Sequence, residues 1–176
     1  KLMERPSAYI PMDRRQAIAK GETLPSRTHG AALMADVSGF TPLTEVLAKE
    51  LGPKQGAEEL TRQLNQVYDA MITEVHRYQG SVLAFSGDAI TCWLDGDNGR
   101  RAIACGLAMQ QAMQQFSEIE TPAGGRISLG MKVAIATGPV RRFLVGDPKI
   151  QMIDVLAGAT LDQMAAIEAY AEKGDV

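Results

Sequence analysis

The sequence predicts an α+β domain, a sheet of short strands with helices packed against it. Three observations carry that prediction. Short apolar runs of strand length are interleaved with longer segments in which apolar residues recur every three or four positions. The 176 residues are 45% hydrophobic, which suits one buried core and exceeds what a disordered chain carries. No apolar run reaches 18 residues, so no membrane-spanning helix is expected.

The elements follow in order. Residues 1–30, with Pro6, Pro11 and Pro25 and a short helix at Asp13–Lys20, read as an N-terminal arm packed on a domain formed by 31–176. Ala31-Ala32-Leu33-Met34-Ala35 is an apolar run ending at Asp36, the pattern of a buried strand that presents a carboxylate at its end. Ser38-Gly39 turns the chain, Thr41 is placed as an N-cap and Pro42 takes the first helical position. That helix, Pro42–Leu51, stops at Gly52-Pro53. A second runs from Gly56 to Tyr78, with Leu60, Leu64, Val67, Met71 and Val75 on one face.

Gly80 ends that helix. Ser81–Phe85 and Ala89–Leu94 are strands around the hairpin signal Ser86-Gly87-Asp88. A helix over Asn98–Phe116 is expected to turn Ile103, Leu107, Met113 and Phe116 inward. Thr121–Gly125 is a loop. Ile127–Thr137 is a strand, Gly138-Pro139 a break, and Val140–Val145 a second strand. Asp147-Pro148 turns into an extended Gln151–Leu156, and Ala159–Glu172 is the last helix. The order β-α-α-β-β-α-β-β-α implies a ferredoxin-like, antiparallel or mixed sheet with helices on one face. The other face is then free for a site or a partner.

Composition excludes several functions. Eighteen Lys and Arg against 21 Asp and Glu give a net charge of −3, which disfavours a nucleic-acid coat. Cys92 and Cys105 lie in apolar patterns and read as buried free thiols of a reducing, cytoplasmic compartment. His29 and His76 have no partner at ligand spacing, so zinc and Ser-His-Asp chemistry find no support. Arg141-Arg142 reads as a solvated pair, and Trp93 as core or interface.

Asp36 and Asp88 stand out by position. If their strands are neighbours the two carboxylates converge, and they then repel unless a divalent cation lies between them. The amides of Ser38, Gly39, Phe40 and Thr41 lie at a helix start, where donors and dipole suit phosphate oxygens. Together these suit a nucleoside triphosphate and two-metal phosphoryl chemistry. On spacing alone, a plain turn or cap role for both aspartates stands beside that reading.

Met34-Ala35-Asp36-Val37-Ser38-Gly39-Phe40-Thr41 resembles the first metal motif of class III nucleotidyl cyclases, and Phe85-Ser86-Gly87-Asp88-Ala89 their second. Ala134-Ile135-Ala136-Thr137-Gly138, Gly146-Asp147 and Gly158 fit the downstream pattern. The likeness spans Ala31 to Glu172 and is strongest to the first catalytic-homology domain of soluble-type adenylyl cyclases and their bacterial multidomain relatives. Tyr9-Ile10-Pro11-Met12-Asp13-Arg14-Arg15 and Leu24-Pro25 resemble the lead-in of those bacterial proteins.

The resemblance implies that Asp36 and Asp88 bind two Mg²⁺ or Mn²⁺ ions with help from the Val37 carbonyl. It implies that Ser38, Gly39, Phe40, Thr41 and Lys132 take the phosphates of ATP, and that the product is cyclic AMP. It also marks departures. Ala84 stands where a purine-selecting lysine is expected. Val155 stands where a second purine contact is expected, with Asp154 one position off. Asp162 replaces the transition-state asparagine and Ala166 the transition-state arginine. Ala84 and Ala165 occupy the positions of the basic residues that bind bicarbonate in mammalian relatives, so that regulation is not carried over.

The implied protein is the metal-bearing half of an adenylate cyclase, nearly inactive until a second cyclase homology domain supplies the missing donors. The absent initiator Met, and Lys173-Gly174-Asp175-Val176 read as the start of a further strand, imply a C-terminally incomplete domain cut from a longer chain. A non-catalytic, nucleotide-binding regulatory module is the alternative. A diguanylate cyclase or polymerase palm is disfavoured, because no Gly-Gly-Asp/Glu-Glu-Phe motif occurs.

Overall fold

The structure is a computed structural model that describes residues 10–176. The first nine residues of the arm, with Pro6 and Tyr9, lie outside the described residues. A short helix α1 (Met12–Lys20) leads to strand β1 (Arg27–Ser38) and helix α2 (Phe40–Arg77). The hairpin β2 (Ser81–Ser86) and β3 (Ala89–Asp95) follows, then α3 (Arg100–Met113), a two-stranded ribbon β4 (Ile119–Glu120) and β5 (Arg126–Ile127), the hairpin β6 (Gly130–Asp147) and β7 (Gln151–Ala157), and α4 (Ala159–Glu168). The main sheet has the order β2-β3-β1-β6-β7, and every neighbouring pair is antiparallel.

β1 is central and covered on both sides, which is why it reads as a continuous apolar run. Ala31, Leu33, Ala35 and Val37 join Val67, Met71 and Val75 of α2 and Cys105 and Met109 of α3 in one core cluster. The alternate residues Ala32 and Met34 join Trp93, Ala134, Ala136 and Met164 of α4 in a second. Helices therefore lie on both faces, not on one. The two faces differ because α4 follows β7 and folds back over β6 and β1, while α1 crosses near β2.

Other expectations shift for local reasons. β1 begins at Arg27 and not at Ala31. α2 begins at Phe40 with Gly39 at its cap position, at φ 102°, and no side chain caps it, so Thr41 lies inside the first turn. A Cβ on Gly39 would meet the Ser128 carbonyl at 2.6 Å, so this sharp entry needs glycine. α2 breaks at Gly52 (φ 81°, ψ 167°) where the sequence places its stop.

α3 turns its small residues inward. Ala102, Cys105, Gly106, Met109 and Met113 are buried, whereas Ile103 and Leu107 are 49% and 57% exposed, against the expected inward orientation. Gly106 brings the helix close to Val133, whose Cγ1 would lie 3.3 Å from an added Cβ. Ile127 belongs to the β4–β5 ribbon.

β6 runs unbroken through Gly138-Pro139. Strand alternation directs the polar groups of Pro139 away from β1, on the side where Val133 donates to the Asp175 carbonyl at 3.0 Å. β7 joins that side only from Arg141, so the missing proline N–H breaks no ladder bond. The last helix ends at Glu168 and not at 172. Beyond it, Gly174 donates to Met131 and Asp175 accepts from Val133, a strand-like contact with β6.

Arg142 is not solvated. It is 6% exposed and pairs with Asp13 of α1, and its Nε lies 3.7 Å from Asp154 on β7. Arg14 of α1 reaches Asp154 at 2.7 Å. Two arginines and two aspartates thus fasten α1 to the β6–β7 hairpin. Cys92 and Cys105 are buried free thiols, and burial pushes Cys105 up to about 12. Among the described residues, no helix is long and apolar enough to cross a membrane.

Candidate functional site

Asp36 lies near the end of β1, opposite Ala89 of β3 and Lys132 of β6. It falls on the Ala32 and Met34 face, whose apolar pattern it ends. Asp88 sits in the two-residue turn between β2 and β3, next to Gly87 at φ 63°. The Val37 N–H donates to the Asp88 carbonyl at 3.2 Å, which fastens the turn to the end of β1. Tyr68 of α2 donates to the Gly87 carbonyl at 3.2 Å and meets Phe85 edge-to-face at 5.5 Å. The turn is therefore held from both sides.

The two carboxyls are electrostatically unbalanced. Burial raises the Asp36 carboxyl above its ordinary value, and the Asp88 charge adds to the rise. Lys132 opposes it at 3.7 Å, but Glu168 of α4 holds that ammonium at 2.6 Å and raises Asp36 further. The Tyr68 hydroxyl is also raised, first by burial and then by Asp88 and Asp36. Lys132 is raised chiefly by its hydrogen bond to Glu168.

Ser38 ends β1 and Gly39 leads into α2. The first-turn amides of Phe40 and Thr41 have no intrahelical acceptor, and Pro42 has no N–H to offer. These donors lie within five residues of Asp36. Two hard carboxylates that repel each other, beside free amides, fit a divalent cation carrying a polyphosphate. Among the described residues no cluster of three or more His, Cys, Asp or Glu is placed to hold a metal ion.

No family model matches the sequence. Adenylate cyclase type 10 of Rattus norvegicus is 25% identical over 153 residues, 84% of this chain. The Oryctolagus cuniculus protein of that name is 25% identical over 183 residues, 98% of this chain. The chain spans 9% and 11% of those curated relatives. The guanylyl cyclase Cya2 superposes with a TM-score of 0.65 at 26% identity, over 84% of this chain and 73% of that one. The chain has the class III cyclase catalytic-domain fold. It is homologous to adenylate cyclase type 10. A bacterial light-regulated adenylyl cyclase shares the fold, with a TM-score of 0.73 at 21% identity over 93% of this chain and 47% of that chain.

Within this fold, the residues that depart from the cyclase motifs have definite places. Ala84 is on β2, next to a register shift against β3. Asp154 is committed to Arg14 and Arg142, with its side chain 2% exposed. Asp162 and Ala166 are exposed on α4. Glu168, which sequence reading missed, reaches the site only because α4 folds back over β6. No local signal marks a contact between residues 36 positions apart.

Proposed function

We propose that this chain is the metal-donating half of a class III adenylyl cyclase acting in the cytoplasm. It converts ATP to cyclic AMP and diphosphate at an interface with a complementary cyclase homology domain. One observation carries the reading: Asp36, Asp88 and the free amides of the α2 entry meet at one end of β1.

Asp36 and Asp88 would hold the cations, with the Val37 carbonyl beside them. Two Mg²⁺ or Mn²⁺ ions, when bound, supply Lewis-acid activation of the ribose 3′-hydroxyl and neutralise the triphosphate. The 3′-oxygen loses its proton and attacks the α-phosphorus, and diphosphate leaves. Ser38, Gly39, Phe40 and Thr41 orient phosphate oxygens through main-chain N–H groups, and Lys132 adds a cation. Asp162 and Ala166 provide no positive donor for the transition state, so the partner domain supplies it.

That same pair supports a second reading, a regulatory module that binds nucleotide without turnover. The assay is cyclic AMP formation from ATP with Mn²⁺, for this chain alone and mixed with a complementary second domain. Activity only in the mixture, lost on Asp36→Ala, is the expected result. Nucleotide binding without product in either arm selects the regulatory module. Activity of the chain alone contradicts the half-site.

A further inference from the structure

The Lys132 ammonium has two carboxylate neighbours. It lies 3.7 Å from Asp36 on the adjacent strand and 2.6 Å from Glu168 at the end of α4. It also donates to the Glu168 carbonyl at 3.3 Å. All three side chains are only about a quarter exposed, at 26% for Lys132 and 25% for both acids, so solvent screens them incompletely. An ammonium on Asp36 and a divalent cation on Asp36 compete for the same oxygens. The tighter hold on Lys132 is Glu168, through side chain and main chain together.

We infer that Glu168 is a positioning residue that draws the Lys132 ammonium away from Asp36 and so leaves the aspartate pair open to a divalent cation. This rests on the proposed role of Asp36 and Asp88. It assigns a task to α4 even though its own surface lacks the donors at 162 and 166. The backbone supports it: Glu168 closes α4, and Lys132 pairs directly with Asp36 across β1 and β6.

The test is a double-mutant cycle on the full chain without nucleotide, read as Mn²⁺ affinity by isothermal titration, with circular dichroism to check folding. Glu168→Gln frees Lys132 to settle on Asp36, and Mn²⁺ affinity falls about five- to tenfold, within the range of coupled neighbours. Lys132→Met removes the competitor and raises affinity. In the Lys132→Met background, Glu168→Gln has little further effect. An equal loss in both backgrounds overturns the proposal, since Glu168 would then act on the cation through space. No loss, or a gain, on Glu168→Gln alone also overturns it. Absence of Mn²⁺ binding in the wild-type chain, unchanged by Asp36→Asn, is a different failure. It removes the metal site itself, and this inference with it.

Discussion

Two clusters of charge lie on the same side of this sheet and are built on opposite principles. Asp13, Arg14, Arg142 and Asp154 balance, two against two, with Arg142 and Asp154 at 4% and 2% side-chain exposure. Asp36 and Glu168 share one ammonium, from Lys132, and the Asp88 charge bears on Asp36 besides. The balanced cluster holds structure together. The unbalanced one keeps a carboxylate in an unfavourable state that a cation would relieve. Charge balance, more than the presence of aspartates, separates a brace from a binding site.

The largest expected effect falls on the brace. Asp154→Ala leaves two arginines facing a vacated carboxylate in a buried setting, and such losses cost about 3–5 kcal/mol. Urea denaturation measures it. The folded fraction should keep the Mn²⁺ affinity of the wild-type chain, because Asp154 makes no contact with Asp36.

Asp36→Asn works in the other direction. The folded carboxyl is raised by burial and by Asp88, so its ionised form opposes folding. The variant should melt at a higher temperature than wild type near neutral pH while losing Mn²⁺ binding. Its advantage shrinks as pH falls through the raised folded value toward 3.8, because protonation then relieves the wild-type chain too. Melting curves across that range check the sign.

A control sets the lower end. Arg62 and Glu59 form a solvent-facing pair on α2, at 55% and 27% side-chain exposure. Arg62→Ala should change stability by no more than about 0.5 kcal/mol in the same denaturation assay.

The two regions were not equally legible in the sequence. Asp36 and Asp88 could be located because a strand end and a hairpin turn are local patterns, and both turned up where spacing placed them. The brace is not legible there: of the pair Arg141-Arg142, Arg141 is exposed as expected, but Arg142 is buried, and nothing near it in sequence signals Asp13 or Asp154. Glu168 was missed for the same reason. Ile103 and Leu107 mislead because they are large and apolar at helical spacing, yet small residues let α3 approach the sheet more closely. Pro139 suggested a strand break, and only its orientation toward an unpaired edge shows why β6 continues. Patterns confined to about ten residues were readable, whereas contacts set by how α1 and α4 fold back were not.

Asp36 and Asp88 are proposed to hold divalent cations together. The direct measurement is Mn²⁺ binding by electron paramagnetic resonance of the free ion, for the wild-type chain, Asp36→Asn and Asp88→Asn, each shown to be folded. Saturable binding in the wild type, lost in both variants, is the expected result. Equal binding in all three, or none in any, would contradict it.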